Sequence, residues 1–205
     1  MAKLYGNQKQ TEKTLSLSED LINRYPNNTK SLSVLAGAQI VNNKMDLAEK
    51  TLRQIIDNDK QDIDHRLLLA RVLSEKPGSE NEVLKLVDEA SAIAPQKTQP
   101  IIFKITFLIK LKRFEEASEL ASKADSLFPN SNLGKLLKAD IYLAEKKLDK
   151  ALESYQQAYT AQPSDKVLFI IVDLLNAQNQ TPQTVTFLKN AVVKNPKNLL
   201  IRLKL

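Results

Sequence analysis

NLGKLLKADIYLAEKKLDKALESYQQAYTAQPSD, residues 132–165, is the stretch that decides the fold. Leu133, Leu136, Leu137, Ala139 and Tyr142 recur at helical spacing, and the polar break Glu145-Lys146-Lys147 follows. Leu148, Ala151, Leu152, Tyr155 and Ala158 then repeat the pattern until Pro163 ends it. The spacing predicts two short antiparallel helices, because apolar residues three and four apart share one helical face. Proline stops the second, since its ring biases the preceding residue away from helix and removes a donor. Helices this short are marginal alone, so each must bury its apolar face against a neighbour.

The same unit recurs along the chain. Pro95, Pro129, Pro163 and Pro196 are separated by 34, 34 and 33 residues. Pro26 lies 34 before Lys60, and Lys60 lies 35 before Pro95, where the Lys76-Pro77-Gly78-Ser79 loop adds a residue. A fixed period of this length marks a stack of helix-turn-helix units. The expected boundaries are a partial repeat over 1–28, full repeats over 29–62, 63–97, 98–131, 132–164 and 165–197, and the start of a further helix over 198–205. Leu4-Tyr5-Gly6-Asn7 reads as the tail of one helix and Thr11 to Tyr25 as the next. Leu199, Leu200, Ile201, Leu203 and Leu205 read as a first helix without its partner. Both ends therefore look cut from a longer array, and open ends of a stack are places for self-association.

Composition agrees and removes whole classes of chemistry. Four glycines in 205 residues leave little room for tight hairpins or phosphate-cradling loops. The absence of cysteine excludes disulfides, thiolate metal sites and cysteine nucleophiles, and one histidine, His65, excludes a multi-histidine metal centre. His65 lies at a helix start beside Asp62 and Asp64, where capping is the expected role. Adjacent carboxylates such as Glu115-Glu116 and Asp88-Glu89 point about 100° apart on a helix and do not form an acid/base pair. No phosphate-binding, nucleophile-elbow or metalloprotease motif is present. The apolar run Ile101 to Leu111 is interrupted by Lys104, Thr106 and Lys110 and is too short for a membrane span. The charge of +6 is spread along mixed-charge helix surfaces rather than gathered in a basic stripe. No enzyme, cofactor, metal or nucleic-acid partner is expected from these residues.

Ala139, Ala151, Tyr155, Ala158 and Pro163 reproduce the small–Ala–aromatic–Ala–Pro pattern of the tetratricopeptide repeat (TPR), which this chain resembles. Ala117, Ala124 and Pro129 carry it in the preceding repeat, Ala36 and Ala48 in the repeat from Thr29, and Ala70, Ala90 and Pro95 in the one from Ile63. Leu188, Ala191 and Pro196 carry it in the last full repeat, with Thr184 where Ala is usual. The resemblance implies an all-α fold, a right-handed superhelical solenoid of antiparallel helix pairs, whose first helices line a concave groove that holds a protein or peptide. Transferred onto this sequence, the groove residues are Leu67 and Arg71, then Ile102, Thr106 and Ile109. Leu133, Leu136, Asp140 and Leu143 follow, then Phe169 and Asp173. The middle of that groove is apolar with an acidic rim, which suits an amphipathic helix or an extended apolar peptide. Some of these side chains would pack between helices instead if the helices are slightly rotated. The pairs Ser33/Gly37, Leu67/Arg71, Ile102/Thr106, Leu136/Asp140 and Phe169/Asp173 lack the Lys and Asn of repeats that clamp a terminal carboxylate.

A narrower likeness concerns the runs Ala48-Glu49-Lys50-Thr51-Leu52-Arg53, Leu67-Leu68-Leu69-Ala70-Arg71 and Asn195-Pro196-Lys197-Asn198-Leu199. They are similar to those of bacterial envelope TPR lipoproteins, including the one associated with the exosortase (PEP-CTERM) system. That likeness implies a scaffold in an envelope protein-sorting, exopolysaccharide or secretion system, with the cytoplasm as the other compartment, although no lipobox cysteine lies in these residues. The other readings are an RNA-binding helical array, opposed by the Leu, Ile and Asp of the groove, and a regulatory TPR domain of a larger enzyme.

Overall fold

The computed structural model describes residues 2–194 with Pro196, Asn198 and Arg202, and their side chains from Gln10 onward. Among the described residues all regular structure is helical. The helices are α1 (Ala2–Arg24), α2 (Thr29–Val41), α3 (Met45–Asn58), α4 (Ile63–Leu73), α5 (Glu80–Ile93) and α6 (Gln99–Lys110). They continue with α7 (Phe114–Leu127), α8 (Leu133–Ala144), α9 (Leu148–Ala161), α10 (Asp165–Ala177) and α11 (Thr181–Lys194). The chain gathers into two compact units, Met1–Lys104 and Ile105–Leu205. In the first, α1 packs on α2, α2 on α3, α3 on α4 and α4 on α5. In the second, α7 packs on α8, α8 on α9, α9 on α10 and α10 on α11. Within each unit a helix thus covers the one before it in sequence, the arrangement of a helical-repeat solenoid.

The alanines of the repeat pattern explain how the helices approach. Ala36, Ala48, Ala70 and Ala90 in the first unit, and Ala117, Ala139, Ala151 and Ala158 in the second, are 0% exposed. A methyl group lets two backbones come close, and larger neighbours fill the remaining space. Leu32, Leu52, Ile55, Leu69 and Leu73 do so in the first unit, and Ile141, Tyr155, Leu168, Ile171 and Leu175 in the second. Each such burial stabilises by about 1.5–3 kcal/mol. Gly134 takes the principle further: an added Cβ would stand 2.8 Å from the Ala121 carbonyl oxygen and 2.2 Å from Asp125 Oδ1. α8 therefore rests on α7 at a distance that only glycine permits.

First helices α2, α4 and α10 begin differently from the second helices, while α8, which follows Asn132, has no side-chain cap. Asn28, Asp62 and Ser164 cap α2, α4 and α10 by accepting from the backbone N–H of Ser31, His65 and Val167. α3, α7 and α9 follow residues Lys44, Arg113 and Lys147, whose side chains make no capping bond, and carry Asp46, Glu115 with Glu116, and Asp149 in their first turns. Those carboxylates oppose the positive end of the helix dipole. Just before each of these helices the chain passes through the left-handed region, at Asn43 (φ 57°), Lys112 (φ 59°) and Lys146 (φ 61°); Gly78 (φ 81°) and Asn179 (φ 57°) occupy the same place in the other two repeats. At Lys146 the turn closes with Lys146 N–H on Leu143 O (3.0 Å) and Lys147 N–H on Tyr142 O (2.9 Å). Paired bonds of this kind satisfy the last carbonyls of one helix and reverse the chain into the next.

The N-terminus departs from expectation. α1 is one helix through Gly6 and Asn7 rather than a helix tail and a second helix. A single helical glycine costs only about 1 kcal/mol, and the Gln, Lys and Glu residues after it are strong helix formers. The expected helix over Leu199, Leu200, Ile201, Leu203 and Leu205 lies outside the described residues.

Candidate binding cleft

Two surfaces carry chemistry, one in each unit. In Ile105–Leu205 a cleft of about 330 Å³ opens between α6 and α8. Ile105 (0% exposed) and Leu137 (4% exposed) form its floor. Ile109 and Leu143 stand as walls, Thr106 and Ala144 lie on the rim, and Asp140 is its one charged side chain. The helix geometry explains the grouping: Ile105 and Ile109 are four residues apart, as are Asp140 and Ala144, so each set shares a face.

Asp140 is held from behind. The hydroxyl of Tyr155 on α9, 2% exposed, donates to Asp140 Oδ1. Asp140 itself is open to solvent along the cleft. Desolvation nonetheless pushes its carboxyl above the ordinary aspartate value, partly opposed by the Tyr155 bond and the nearby Lys166 cation. Burial and the adjacent carboxylate push the Tyr155 phenol up in turn. The Tyr155 phenol therefore keeps its proton and is the donor of the pair.

The other residues of the expected groove are distributed as follows. Leu136 is half-buried and packs on the cluster of Ala139, Ala151, Leu152, Tyr155, Val167 and Ile171. Phe169 packs on Leu168, Val172, Leu188 and Ala191, while Leu133 is half-buried and Asp173 exposed. In Met1–Lys104, Leu67 packs on Ile63, Ala90 and Ala94, Arg71 is exposed, and Ile102 is 37% exposed. Thr106, Ile109, Asp140 and Leu143 therefore share one cleft, whereas Leu136, Phe169 and Leu67 are rotated toward interhelix packing. The floor residues Ile105 and Leu137, and the support from Tyr155, were not among the expected groove residues. Their signal was present in sequence, since Ile105 lies four residues before Ile109 and Leu137 three before Asp140, spacings that share a helical face.

The surface of Met1–Lys104 is of another kind. A cleft of about 640 Å³ between α3 and α5 is lined by Arg53, Asp57, Lys60, Glu82, Lys85 and Glu89 over Ile56 and Leu86, with Arg66 beneath. Its charges largely consume one another. Arg53 meets Glu49 and Glu82, both at 2.8 Å, and Lys60 meets Asp57 at 2.6 Å. Arg66, 6% exposed, donates to Glu89 at 2.9 Å and to the Lys60 carbonyl at 2.6 Å.

One arrangement in this unit has the connectivity of a hydrolase triad. Asp62 Oδ2 lies 2.6 Å from His65 Nδ1, and Ser33 Oγ meets His65 Nε2. With the ring proton on Nδ1, Nε2 accepts from the serine. Ser33, however, sits inside α2, where the surrounding backbone N–H groups are engaged in helix bonds. Backbone N–H groups engaged in the α2 helix cannot also converge on an oxyanion, so the arrangement lacks the largest element of acyl-transfer catalysis. Its geometry is that of a capping residue and a link between repeats. Among the described residues no cluster of potential metal ligands occurs, and no helix is long and apolar enough to cross a membrane.

Stacked helix pairs, alanine-mediated contacts and a turn repeated in geometry from unit to unit define a helical-repeat scaffold. Models of the tetratricopeptide repeat match residues 7–72 and 135–165, so the chain carries tetratricopeptide repeats. No curated protein matches the sequence. Among solved structures, TTC0263, a thermophilic TPR protein of Thermus thermophilus, is similar, with 18% identity and a TM-score of 0.60 over 85% of this chain and 94% of that one. PilW, a type IV pilus biogenesis factor, is 15% identical with a TM-score of 0.61 over 98% of this chain and 93% of its own. YrrB, a TPR protein with an unusual peptide-binding site, is 14% identical with a TM-score of 0.51 over 90% and 95%. At these identities the likeness speaks for the fold. TPR chains are scaffolds that bind protein or peptide partners, and this one is a scaffold rather than an enzyme.

Proposed function

We propose that this chain holds a helix or extended peptide of a partner protein in the cleft between α6 and α8. One observation carries the reading: half-buried Ile109 and exposed Leu143 stand above a floor of apolar, buried side chains. Apolar walls left open to water over a concavity mark an interaction site, because covering them removes apolar surface from water. The apolar floor also supports peptide over RNA as the occupant, since Asp140 would repel phosphate. The setting we assign is a bacterial envelope or secretion assembly. The envelope-type residue runs support that setting, as does the similarity to a pilus biogenesis factor.

A photo-crosslinking amino acid placed at Leu143 tests the site in living bacteria. A discrete partner band is expected, reduced about tenfold by Ile109→Glu, because one buried charge in an apolar contact costs more than about 1.4 kcal/mol. The same label at Val193, 80% exposed on α11, is the control. Equal labelling from both positions, or indifference to Ile109→Glu, removes the cleft as the binding site.

A further inference from the structure

The cleft contains one charge, and the way it is held says what it is for. Asp140 projects from α8 among Ile105, Ile109, Leu137 and Leu143, where its carboxylate is partly desolvated by apolar neighbours yet stays open to the cleft. An aspartate in that place is unfavourable for packing alone. The chain nevertheless adds a support for it: the Tyr155 hydroxyl, buried on α9, donates to Oδ1. Oδ2 forms no hydrogen bond or ion pair among the described residues. Lys166 lies close enough to influence the carboxylate but makes no ion pair with it. A cleft carboxylate with one oxygen held by a buried hydroxyl, and the other without a hydrogen bond or ion pair among the described residues, is a receptor for a cation.

Resting on the peptide-binding reading above, we infer that Asp140 makes the cleft specific for a lysine or arginine side chain of the partner peptide. The aliphatic stem lies along Ile109 and Leu143, and the charged head reaches Asp140. Long basic side chains combine an apolar stem with a cationic tip, which is the pattern of this cleft. Its volume of about 330 Å³ is at the small end of the range for ligand pockets and suits one long side chain projecting from the bound helix or peptide. Charge complementarity is the basis of the assignment. An acidic side chain in the same seat would meet Asp140 unscreened by water, and a purely apolar one would leave the carboxylate desolvated and unpaired.

Selection from a random phage-displayed dodecapeptide library, on the full chain and on Asp140→Asn, tests the inference. Asparagine keeps an acceptor for Tyr155 and removes only the charge. Peptides selected on the native chain are expected to carry a basic residue beside apolar ones. Replacing that residue by norleucine in a synthetic peptide should weaken binding about tenfold to the native chain, the worth of one charge-assisted contact, and less than about twofold to Asp140→Asn. Apolar peptides without a basic preference, weakened by Leu143→Glu, would overturn the inference and leave the cleft reading intact. Selected peptides that bind Leu143→Glu as well as the native chain would overturn both.

Discussion

The two units are built from one repeat but place their polar groups in opposite ways. In Met1–Lys104, Ser18, Ser31, Gln39, Thr51 and Arg66 are buried; in Ile105–Leu205, among the described residues, Thr184 alone is. The first unit uses polar side chains to join helices. Thr51 donates to Gln39 at 2.8 Å between α3 and α2, and Arg66 of α4 bonds the Lys60 carbonyl ahead of it and Glu89 of α5. The second unit fills the same layers with Leu, Ile and Tyr and leaves Asp140, a carboxylate held by a buried tyrosine, facing a cleft. Most polar groups of the first unit's cleft are bonded to one another, Arg66 Nε excepted, and so offer a partner little. A group left open offers more, which is why the binding reading falls on the second unit although the first has the larger and more charged cleft.

Arg66 is the place to break that comparison. Lys60 stands where the other repeats carry proline, so this turn lacks the rigid stop that closes them. Arg66 replaces it with a side-chain bond to the Lys60 carbonyl and an ion pair to Glu89. Arg66→Ala should destabilise the first unit by about 3 kcal/mol, the low end for losing one partner of a buried ion pair, because Glu89 is partly exposed and can be rehydrated. Repeats touch only their neighbours, so the loss should be local. Amide exchange should show α3, α4 and α5 losing protection while α8 and α9 keep theirs. Uniform loss across the chain, or a loss below about 1 kcal/mol, would show that Arg66 does not hold this unit.

Tyr155 is the corresponding test in the second unit, with a smaller expected effect. Tyr155→Phe removes the hydroxyl and keeps the ring, so stability should fall by about 1 kcal/mol for one lost hydrogen bond. Its sharper consequence is on Asp140. The Tyr155 bond holds that pKa down against desolvation, so the variant should titrate higher still. The sign for stability follows. A carboxyl harder to ionise in the folded chain than in the unfolded one contributes its full stability in acid and loses it as pH rises through the native pKa. The variant should therefore lose more stability than the native chain between acid and neutral pH. Carboxyl-carbon NMR of Asp140 checks it; an unchanged or lowered midpoint would separate Tyr155 from the cleft carboxylate.

The fold was legible because its determinants are local and periodic. Prolines at intervals of 33 or 34 residues, with alanines between them, fix helix ends and close contacts without reference to distant residues. Side-chain azimuth is less legible. Thr106, Ile109, Asp140 and Leu143 meet in one cleft, yet Leu136, one turn from Asp140, faces the α9 and α10 cluster instead. A rotation of a fraction of a turn decides which, and apolar periodicity reads the same either way. Arg66 was illegible for another reason. A lone arginine in an apolar run, Arg66-Leu67-Leu68-Leu69, gives no sign of the Glu89 and Lys60 groups that meet it after folding. The left-handed turns were half legible: Asn43, Gly78 and Asn179 are residues that tolerate positive φ, whereas Lys112 and Lys146 are not.

That last contrast gives the smallest effect and the finest comparison. The first unit places Asn43 and Gly78 at its left-handed turns, and the second places Lys112 and Lys146 there before reaching Asn179. A lysine in this conformation is strained by roughly 1 kcal/mol through its Cβ, and glycine relieves that at the expense of a freer unfolded chain. Lys146→Gly should therefore stabilise the chain by about 0.5 kcal/mol. Gly78→Ala runs the argument backwards: a Cβ there would meet nothing within 4 Å, so the strain of φ 81° stands alone, and stability should fall by about 1 kcal/mol. Urea titration of the two variants against the native chain measures both. Opposite signs of this size would show that the turn is one element shared by both units. The same sign in both would mean that the lysine turns are held by something other than their backbone geometry.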